Sequence, residues 1–223
     1  MIAVIDYGMG NSGSIINILR RLGQDVLLTS RVDEIVKAKK LVLPGVGAFD
    51  KGMQQLHSLG LAPVLSEKVT VDRTPIIGIC LGMQLFARSS EEGSSQGLGW
   101  LDAEVVRFRA PEGMQLRIPH MGWNTIRPLK SHDLTNDLES DARFYFVHSY
   151  HVRCARPEDV LSVTQYGTEF VSAVASGPII GVQFHPEKSL RWGMHLLRRF
   201  VADEYDAPAE GDSVAVAPQH GSC

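Results

Sequence analysis

The sequence predicts an α/β protein of three layers, in which helices cover both faces of a central, mostly parallel sheet that antiparallel strands extend. Two patterns support this class. In the first half of the 223 residues, short apolar segments alternate with segments of helical periodicity, and in the second half strand-like segments separated by turn residues dominate. Strands that alternate with helices favour a parallel sheet covered on both faces.

The first half of the chain alternates predicted strands with predicted helices. Strands are expected at residues 2–6, 25–29, 40–43 and 74–79. Helices are expected at residues 14–22, 33–38, 52–59, 62–69 and 83–88. The first helix has apolar residues at helical spacing and is expected to end at Gly23.

The second half, after Trp100, is predicted to consist mainly of strands. They are expected at residues 104–109, 144–147, 150–153, 160–165, 170–175 and 179–184. We expect these strands to form an antiparallel or mixed extension of the same sheet, and a closing helix to follow at residues 190–204. No repeat or long linker divides the chain. One domain is therefore predicted over residues 1–204, followed by a mobile tail over residues 205–223.

The composition excludes several classes of protein. Hydrophobic residues make up 44% and charged residues 21%, which is ordinary for a globular protein and excludes wholesale disorder. Lys and Arg number 22 against 25 Asp and Glu, so the net charge is 22 − 25 = −3. This balance argues against a nucleic-acid partner, which usually requires a basic excess.

Cysteine usage and hydropathy indicate in which cellular compartment the protein is found. The three cysteines are widely spaced with no CxxC pair, so neither a disulfide framework nor a cysteine zinc site is predicted. The apolar start is too short for a signal peptide, and no apolar stretch reaches the roughly 20 residues that a membrane span needs. We expect a soluble, cytoplasmic protein without a membrane partner.

The sharpest local signal is Cys80 in the segment GICLG, residues 78–82, between a predicted buried strand and a predicted helix. It has the form of a nucleophile elbow, with Cys in the place that hydrolases give to Ser. A tight strand-to-helix turn would expose the thiol at the carboxyl edge of the sheet, and the flanking glycines leave room for that turn. The alternative is a small buried cysteine without chemistry.

A thiol nucleophile needs a base, and His185 has the best context of the eight histidines. It follows a predicted strand, and Glu187 stands two residues further on. Residues two apart on an extended segment point the same way, so Glu187 can reach the far imidazole nitrogen. Cys80, His185 and Glu187 thus match the order nucleophile, base and orienting group. Taken alone, His185 could equally be a strand-end histidine bonded to backbone.

Two further patterns have competing interpretations. The segment PGVG, residues 44–47, follows a predicted strand, and its glycines would let backbone N–H groups approach a ligand or simply form a turn. Gly8, Gly10 and Gly13 match a dinucleotide-binding fingerprint, but the second strand is followed by Arg31 and lacks the acidic residue that this site requires. No nicotinamide or other cofactor is therefore expected.

His148 and His151 stand three residues apart, a spacing that would suit a metal pair on a helix. Here they are predicted to lie on strands, where such residues face opposite ways. No metal site is predicted.

Five motifs, in the order of a known family, resemble the class I (triad) glutamine amidotransferases. They are PGVG at residues 44–47, GICLGMQ at 78–84, PHMGWN at 119–124, YFVHSY at 145–150 and QFHPEK at 183–188. The resemblance runs from Met1 to about residue 204. Within the family the chain is most like the glutaminase subunits of imidazole glycerol phosphate synthase. This closer resemblance rests on the motifs PHMGWN and YFVHSY and on the lack of an attached synthetase domain.

The resemblance implies an enzyme that hydrolyses L-glutamine to glutamate and ammonia. Cys80 would attack the side-chain amide, His185 would carry a proton to the departing ammonia, and Glu187 would hold His185. The backbone N–H groups that would meet the oxyanion belong to Val46, Gly47 and Leu81. The residues implied to contact the substrate are Gly45, Gln84, Glu92, His148, Ser149 and Tyr150.

The resemblance also implies a partner. A TIM-barrel cyclase of histidine biosynthesis would form a heterodimer with this chain, receive the ammonia by channelling, and make imidazole glycerol phosphate and AICAR. The residues implied at that interface are Met9, Asn11, Trp123 and Lys188. Three alternatives stay open: an ammonia donor to a sugar-amidating enzyme of surface-polysaccharide synthesis, a free-standing cysteine hydrolase, and a catalytically silent regulatory relative.

Overall fold

The structure, a computed structural model, describes residues 1–202, so the predicted tail lies outside the described residues. Its main sheet has eight strands. In spatial order they are β2 (Val26–Thr29), β1 (Ile2–Ile5), β3 (Lys40–Gly45), β4 (Ile76–Cys80), β13 (Ile179–Val182), β12 (Thr168–Ser176), β11 (Val160–Tyr166) and β8 (Arg127–Pro128). The first five pair in parallel and the last three are antiparallel. The predicted fold class is confirmed.

Helices cover both faces of this sheet. They are α1 (Ser12–Arg21), α2 (Val32–Ile35), α3 (Phe49–Ser58), α4 (Leu61–Ser66), α5 (Leu81–Gln84) and α6 (Leu190–Ala202). Buried residues of α1 and α6 form one core cluster, and those of α2, α3 and α4 form a second. Since each cluster includes alternate residues of the central strands, the two clusters lie on opposite faces of the sheet.

The prediction that all later strands extend the main sheet is wrong. Two small sheets stand apart from it. One consists of β10 (Tyr150–Cys154), β6 (Ala103–Arg107) and β5 (Ser89–Ser90), and the other of β7 (His120–Thr125) and β9 (Arg143–His148). Alternation of apolar and polar residues predicts that a segment is a strand, but it does not identify the strand's partner.

Several element boundaries also differ from the predictions. The helix predicted at residues 83–88 is the single turn α5, which starts directly after Cys80. The last central strand ends at Val182, and the chain continues to His185, whose N–H donates to the Tyr145 carbonyl at 2.9 Å. Strand β7 was not predicted, because its glycine and polar residues hide its alternation.

Among residues 1–202, none of the helices combines the length and the hydropathy that crossing a membrane would require.

Candidate active site

Cys80 occupies a strained turn at the carboxyl end of β4. Its backbone angles are φ 53° and ψ −108°, a conformation that non-glycine residues rarely adopt. Such strain persists only where the surrounding structure imposes it. Here it does: a Cβ on Gly82 would lie 1.9 Å from the Leu43 carbonyl oxygen, so α5 packs directly against β3. Cys80 lines a cavity whose walls also include Val147 and His148 of β9.

His185 and Glu187 form a buried pair next to Cys80. Nδ1 of His185 lies 2.7 Å from a carboxylate oxygen of Glu187, and the side chains are only 1% and 3% exposed. Nε2 makes no well-formed hydrogen bond within residues 1–202, yet Cys80 lies close enough to act on the ring, so Nε2 is available for proton transfer. Burial by itself lowers the pKa of His185, but the neighbouring Cys80 and Glu187 raise it, with the result that the pKa is about 9. The imidazolium form therefore persists at neutral pH.

The PGVG segment runs beside the elbow. β3 extends through Pro44 to Gly45, which pairs with Cys80 in the sheet. The buried Tyr7 hydroxyl donates to the Pro44 carbonyl at 2.7 Å, and a Cβ on Gly45 would lie 2.6 Å from that hydroxyl. Burial and the charge of Cys80 raise the pKa of Tyr7, so its hydroxyl keeps its proton and holds the segment against the elbow.

A cavity of about 520 Å³ opens at Cys80 and contains most of the predicted substrate and oxyanion residues. Its lining includes Val46, Gly47, Leu81, Gln84, Glu92, His148, Ser149 and Tyr150. Gly45 is buried behind this lining, against Tyr7 and Gly82. The lining thus combines a thiol, an amide, a carboxylate and backbone of two strands, which suits a small polar ligand.

Glu92 is held in the cavity by the start of α3. One of its carboxylate oxygens accepts the N–H of Phe49 at 2.8 Å. Asp50, the next residue along α3, accepts the N–H groups of Ser94 and Ser95 at 3.1 and 2.9 Å and so fixes the loop that follows Glu92. Both contacts join segments that are distant in the chain, which is why only the family resemblance, and no local pattern, pointed to this carboxylate.

The four predicted interface residues lie outside the cavity lining. Trp123 is 46% exposed, and the Lys188 ammonium stands 5.6 Å from the ring centre of Tyr145. Met9 is half-buried, with its methyl 3.0 Å from the place that a Cβ on Gly47 would take. Asn11 is exposed at the start of α1. None of these four residues lines the cavity at Cys80.

The two histidines three residues apart do not face opposite ways, so that prediction is wrong. His148 ends β9, a break follows at Ser149, and His151 lies on β10. Both rings pack against Phe108, at centroid distances of 5.2 and 4.7 Å. No group of three metal-ligating side chains occurs within residues 1–202.

Gln183 was missed in the sequence as an individual residue. It is fully buried, and its Nε2 lies 3.6 Å from the Cys80 sulfur. The signal was partly available, because Gln183 stands two residues before His185, whose backbone is extended, and a glutamine is unusual after an apolar central strand. Contrary to the prediction, Glu187 does not continue this extended segment but lies in the 3₁₀ turn Pro186–Lys188.

Comparison with known proteins gives a consistent result across nearly the whole chain. Residues 3–203 match the model of the family described as "Glutamine amidotransferase class-I". A protein of Methanococcus maripaludis, "Imidazole glycerol phosphate synthase subunit HisH 2", is 49% identical over 201 residues, which cover 90% of this chain and 98% of that protein. The protein of the same name from Pseudomonas aeruginosa is 46% identical with the same coverage.

Solved structures show the same fold at low sequence identity. A structure described as glutamine amidotransferase has a TM-score of 0.70 and 21% identity, and covers 90% of this chain and 97% of its own. A glutamine amidotransferase from Thermotoga maritima has a TM-score of 0.61 and 16% identity, with coverage of 90% and 95%.

Proposed function

The chain belongs to the class I glutamine amidotransferase family, and from that premise we propose that it is the glutaminase subunit of imidazole glycerol phosphate synthase. It hydrolyses L-glutamine and passes the ammonia to a cyclase in histidine biosynthesis. The observation that carries the proposal is the strained Cys80 in the wall of a cavity that also holds Gln84 and Glu92, with the buried His185–Glu187 pair nearby.

The first half-reaction follows from this geometry. The Cys80 thiolate attacks the side-chain amide carbon of glutamine, and the carbonyl oxygen takes the negative charge. Backbone N–H groups of Leu81 and of the Val46–Gly47 segment donate to that oxyanion. Nε2 of His185 gives its proton to the amide nitrogen, the carbon–nitrogen bond breaks, and ammonia leaves a thioester on Cys80.

The second half-reaction restores the thiolate. The now neutral His185 takes a proton from water, and the resulting hydroxide attacks the thioester carbon and releases glutamate. Glu187 holds Nδ1–H throughout, which keeps Nε2 directed at the reacting atoms and stabilises the imidazolium each time it forms.

Gln84 and Glu92 recognise the substrate in this proposal. Both hydrogens of the Gln84 amide nitrogen are used, by the Tyr150 carbonyl and by Gln183, each at 3.0 Å. Its oxygen is therefore left to accept an N–H group of glutamine. Glu92 has one carboxylate oxygen on Phe49, and the other is free to pair with the substrate's ammonium group. The His148–Tyr150 backbone completes the pocket, and Gly45 supports its wall from behind.

The ammonia acceptor is a TIM-barrel cyclase that docks on the side of Met9, Asn11, Trp123 and Lys188, forms a heterodimer with this chain in the cytoplasm, and receives ammonia by channelling. Docking would also regulate the glutaminase. Gly47 has φ 112°, so the backbone near Val46 can rotate about a glycine and turn an N–H group toward or away from the oxyanion.

The experiment is a steady-state glutaminase assay with and without the cyclase and its ligand. We expect slow hydrolysis by the chain alone and a rise of about 10²–10³-fold in kcat with the partner, the effect of completing an oxyanion hole. Lys188→Ala should reduce this activation more than it changes KM. Full activity without the cyclase would favour a free-standing hydrolase instead, and activation only by a sugar-amidating enzyme would identify a different acceptor.

Replacing Glu187 with glutamine tests the orienting role. Glu187→Gln should lower kcat by about 10²–10⁴-fold while KM changes little, because the carboxylate fixes the tautomer of His185 and touches no substrate atom. The loss should be smaller than that of Cys80→Ala. The measurement is kcat and KM in the complex with the cyclase, and an unchanged kcat would exclude this role.

A further inference from the structure

Gln183 lies against the nucleophile and is not used in the mechanism above. Its side chain is fully buried, and its Nε2 stands 3.6 Å from the Cys80 sulfur. A buried primary amide costs free energy unless its hydrogen bonds are satisfied, so its partners determine how it can be oriented.

The orientation of this amide follows from a backbone carbonyl. The Tyr150 carbonyl can only accept, so Gln84 must direct its NH₂ group at it, across 3.0 Å. The second N–H of Gln84 then points at the Gln183 side chain, also across 3.0 Å, and needs an acceptor there. The Gln183 oxygen is that acceptor. Consequently the remaining end of Gln183, which faces the thiol, is the NH₂ group.

The Tyr150 carbonyl, from which the hydrogen bonds of Gln84 and Gln183 take their direction, is itself held in place. His148 Nδ1 donates to the Tyr150 carbonyl at 2.7 Å, and its Nε2 lies 3.2 Å from Nδ1 of the buried His120. Burial lowers the pKa of His148 to about 3 and that of His120 to about 4, so both rings are neutral at physiological pH. Neutral rings keep one donor and one acceptor each, which fixes the direction of these bonds.

We propose that Gln183 is a further catalytic residue, whose side-chain N–H donates a hydrogen bond to the Cys80 sulfur and stabilises the thiolate that attacks glutamine. Gln84 is its positioning residue, since it holds the Gln183 oxygen. The inference deepens the proposed function and rests on it. No bond is broken by Gln183; its N–H supports the charged form of the nucleophile and fixes the direction of the sulfur.

The test compares Gln183→Met, which keeps the length of the side chain but has no donor, with the natural chain. Alkylation of Cys80 by iodoacetamide at pH 7, followed by mass spectrometry, reports thiolate reactivity without using glutamine. We expect it to slow about tenfold, the effect of losing one hydrogen bond to a charged group. In the complex with the cyclase, kcat should fall by about the same factor. KM should change little, because Gln84 keeps its bond to Tyr150.

Ser172→Ala is the matched control. Ser172 is equally buried, its carbonyl accepts the N–H of Gln183 at 2.9 Å, and its hydroxyl bonds to that of Ser162, away from the thiol. It should lower the melting temperature without slowing alkylation. Gln183→Leu serves as a second donor-free variant if the methionine variant does not fold.

The outcomes separate the two proposals. A folded donor-free variant whose Cys80 alkylates as fast as in the natural chain would overturn the role of Gln183. A slowed alkylation supports that role even if no glutaminase activity is found, whereas an inactive natural complex would overturn only the proposed function.

Discussion

Cys80→Ala abolishes glutamine-dependent product formation, with kcat expected to fall by at least about 10⁴-fold, because no other group can form the thioester. The methyl group of alanine fits the same turn, so the fold should be kept. The cyclase in the complex should still work when ammonium salt is supplied, since that step bypasses the thiol. Both rates are measured on one preparation, and loss of the ammonium-dependent rate as well would point to damaged docking.

Cys154→Ala is the control for this variant. Cys154 is the other free cysteine among residues 1–202; it is half-buried and lies outside the cavity. Burial raises the pKa of its thiol to about 12, so it is a protonated, weak nucleophile at neutral pH. Its replacement should leave kcat unchanged. Appreciable glutamine hydrolysis by Cys80→Ala would contradict the assignment of the nucleophile.

Gly82→Ala is expected to lower both the activity and the stability of the protein. The new Cβ would lie 1.9 Å from the Leu43 carbonyl oxygen, a backbone atom that cannot swing aside, so α5 must move away from β3. That movement displaces Leu81 and Cys80 relative to each other. A shift of this kind costs about 10²-fold in kcat, and overpacking costs about 1–3 kcal/mol of unfolding free energy.

Gly13→Ala provides the matched control for Gly82→Ala. Gly13 lies in α1, and a Cβ there would have only an ordinary contact, 3.9 Å from the Asn11 side chain. Alanine in a helix should raise the free energy of unfolding by up to about 1 kcal/mol and leave kcat unchanged. Assays of kcat and melting temperature on both variants test the packing argument. Gly82→Ala with natural activity and stability would show that the elbow tolerates displacement.

The sequence was sufficient for those features that depend on local periodicity. The central strands are buried on both faces, so they appear as continuous apolar segments and predict the parallel sheet. Cys80 could be identified because the turn needs glycines within two residues on either side. Glu187 does reach Nδ1 of His185, but it does so from the 3₁₀ turn Pro186–Lys188 and not along the extended segment that its spacing predicts.

Other features depend on contacts between distant segments and could not be predicted locally. Strands β7 and β9 pair with each other, and neither belongs to the covered central sheet. The orientation of Gln183 depends on Gln84 and Tyr150, which are 99 and 33 residues away from it in the chain. Such contacts emerge only when the chain is folded.

The most direct test of the account follows the nitrogen of glutamine. The complex of this chain with the cyclase is supplied with glutamine labelled with ¹⁵N at the side-chain amide, together with unlabelled ammonium and the cyclase substrate. We predict imidazole glycerol phosphate that carries the label in its ring, because ammonia made at Cys80 reaches the cyclase before it mixes with the solvent. Product that contains only unlabelled nitrogen, while labelled ammonia accumulates in solution, would contradict the account.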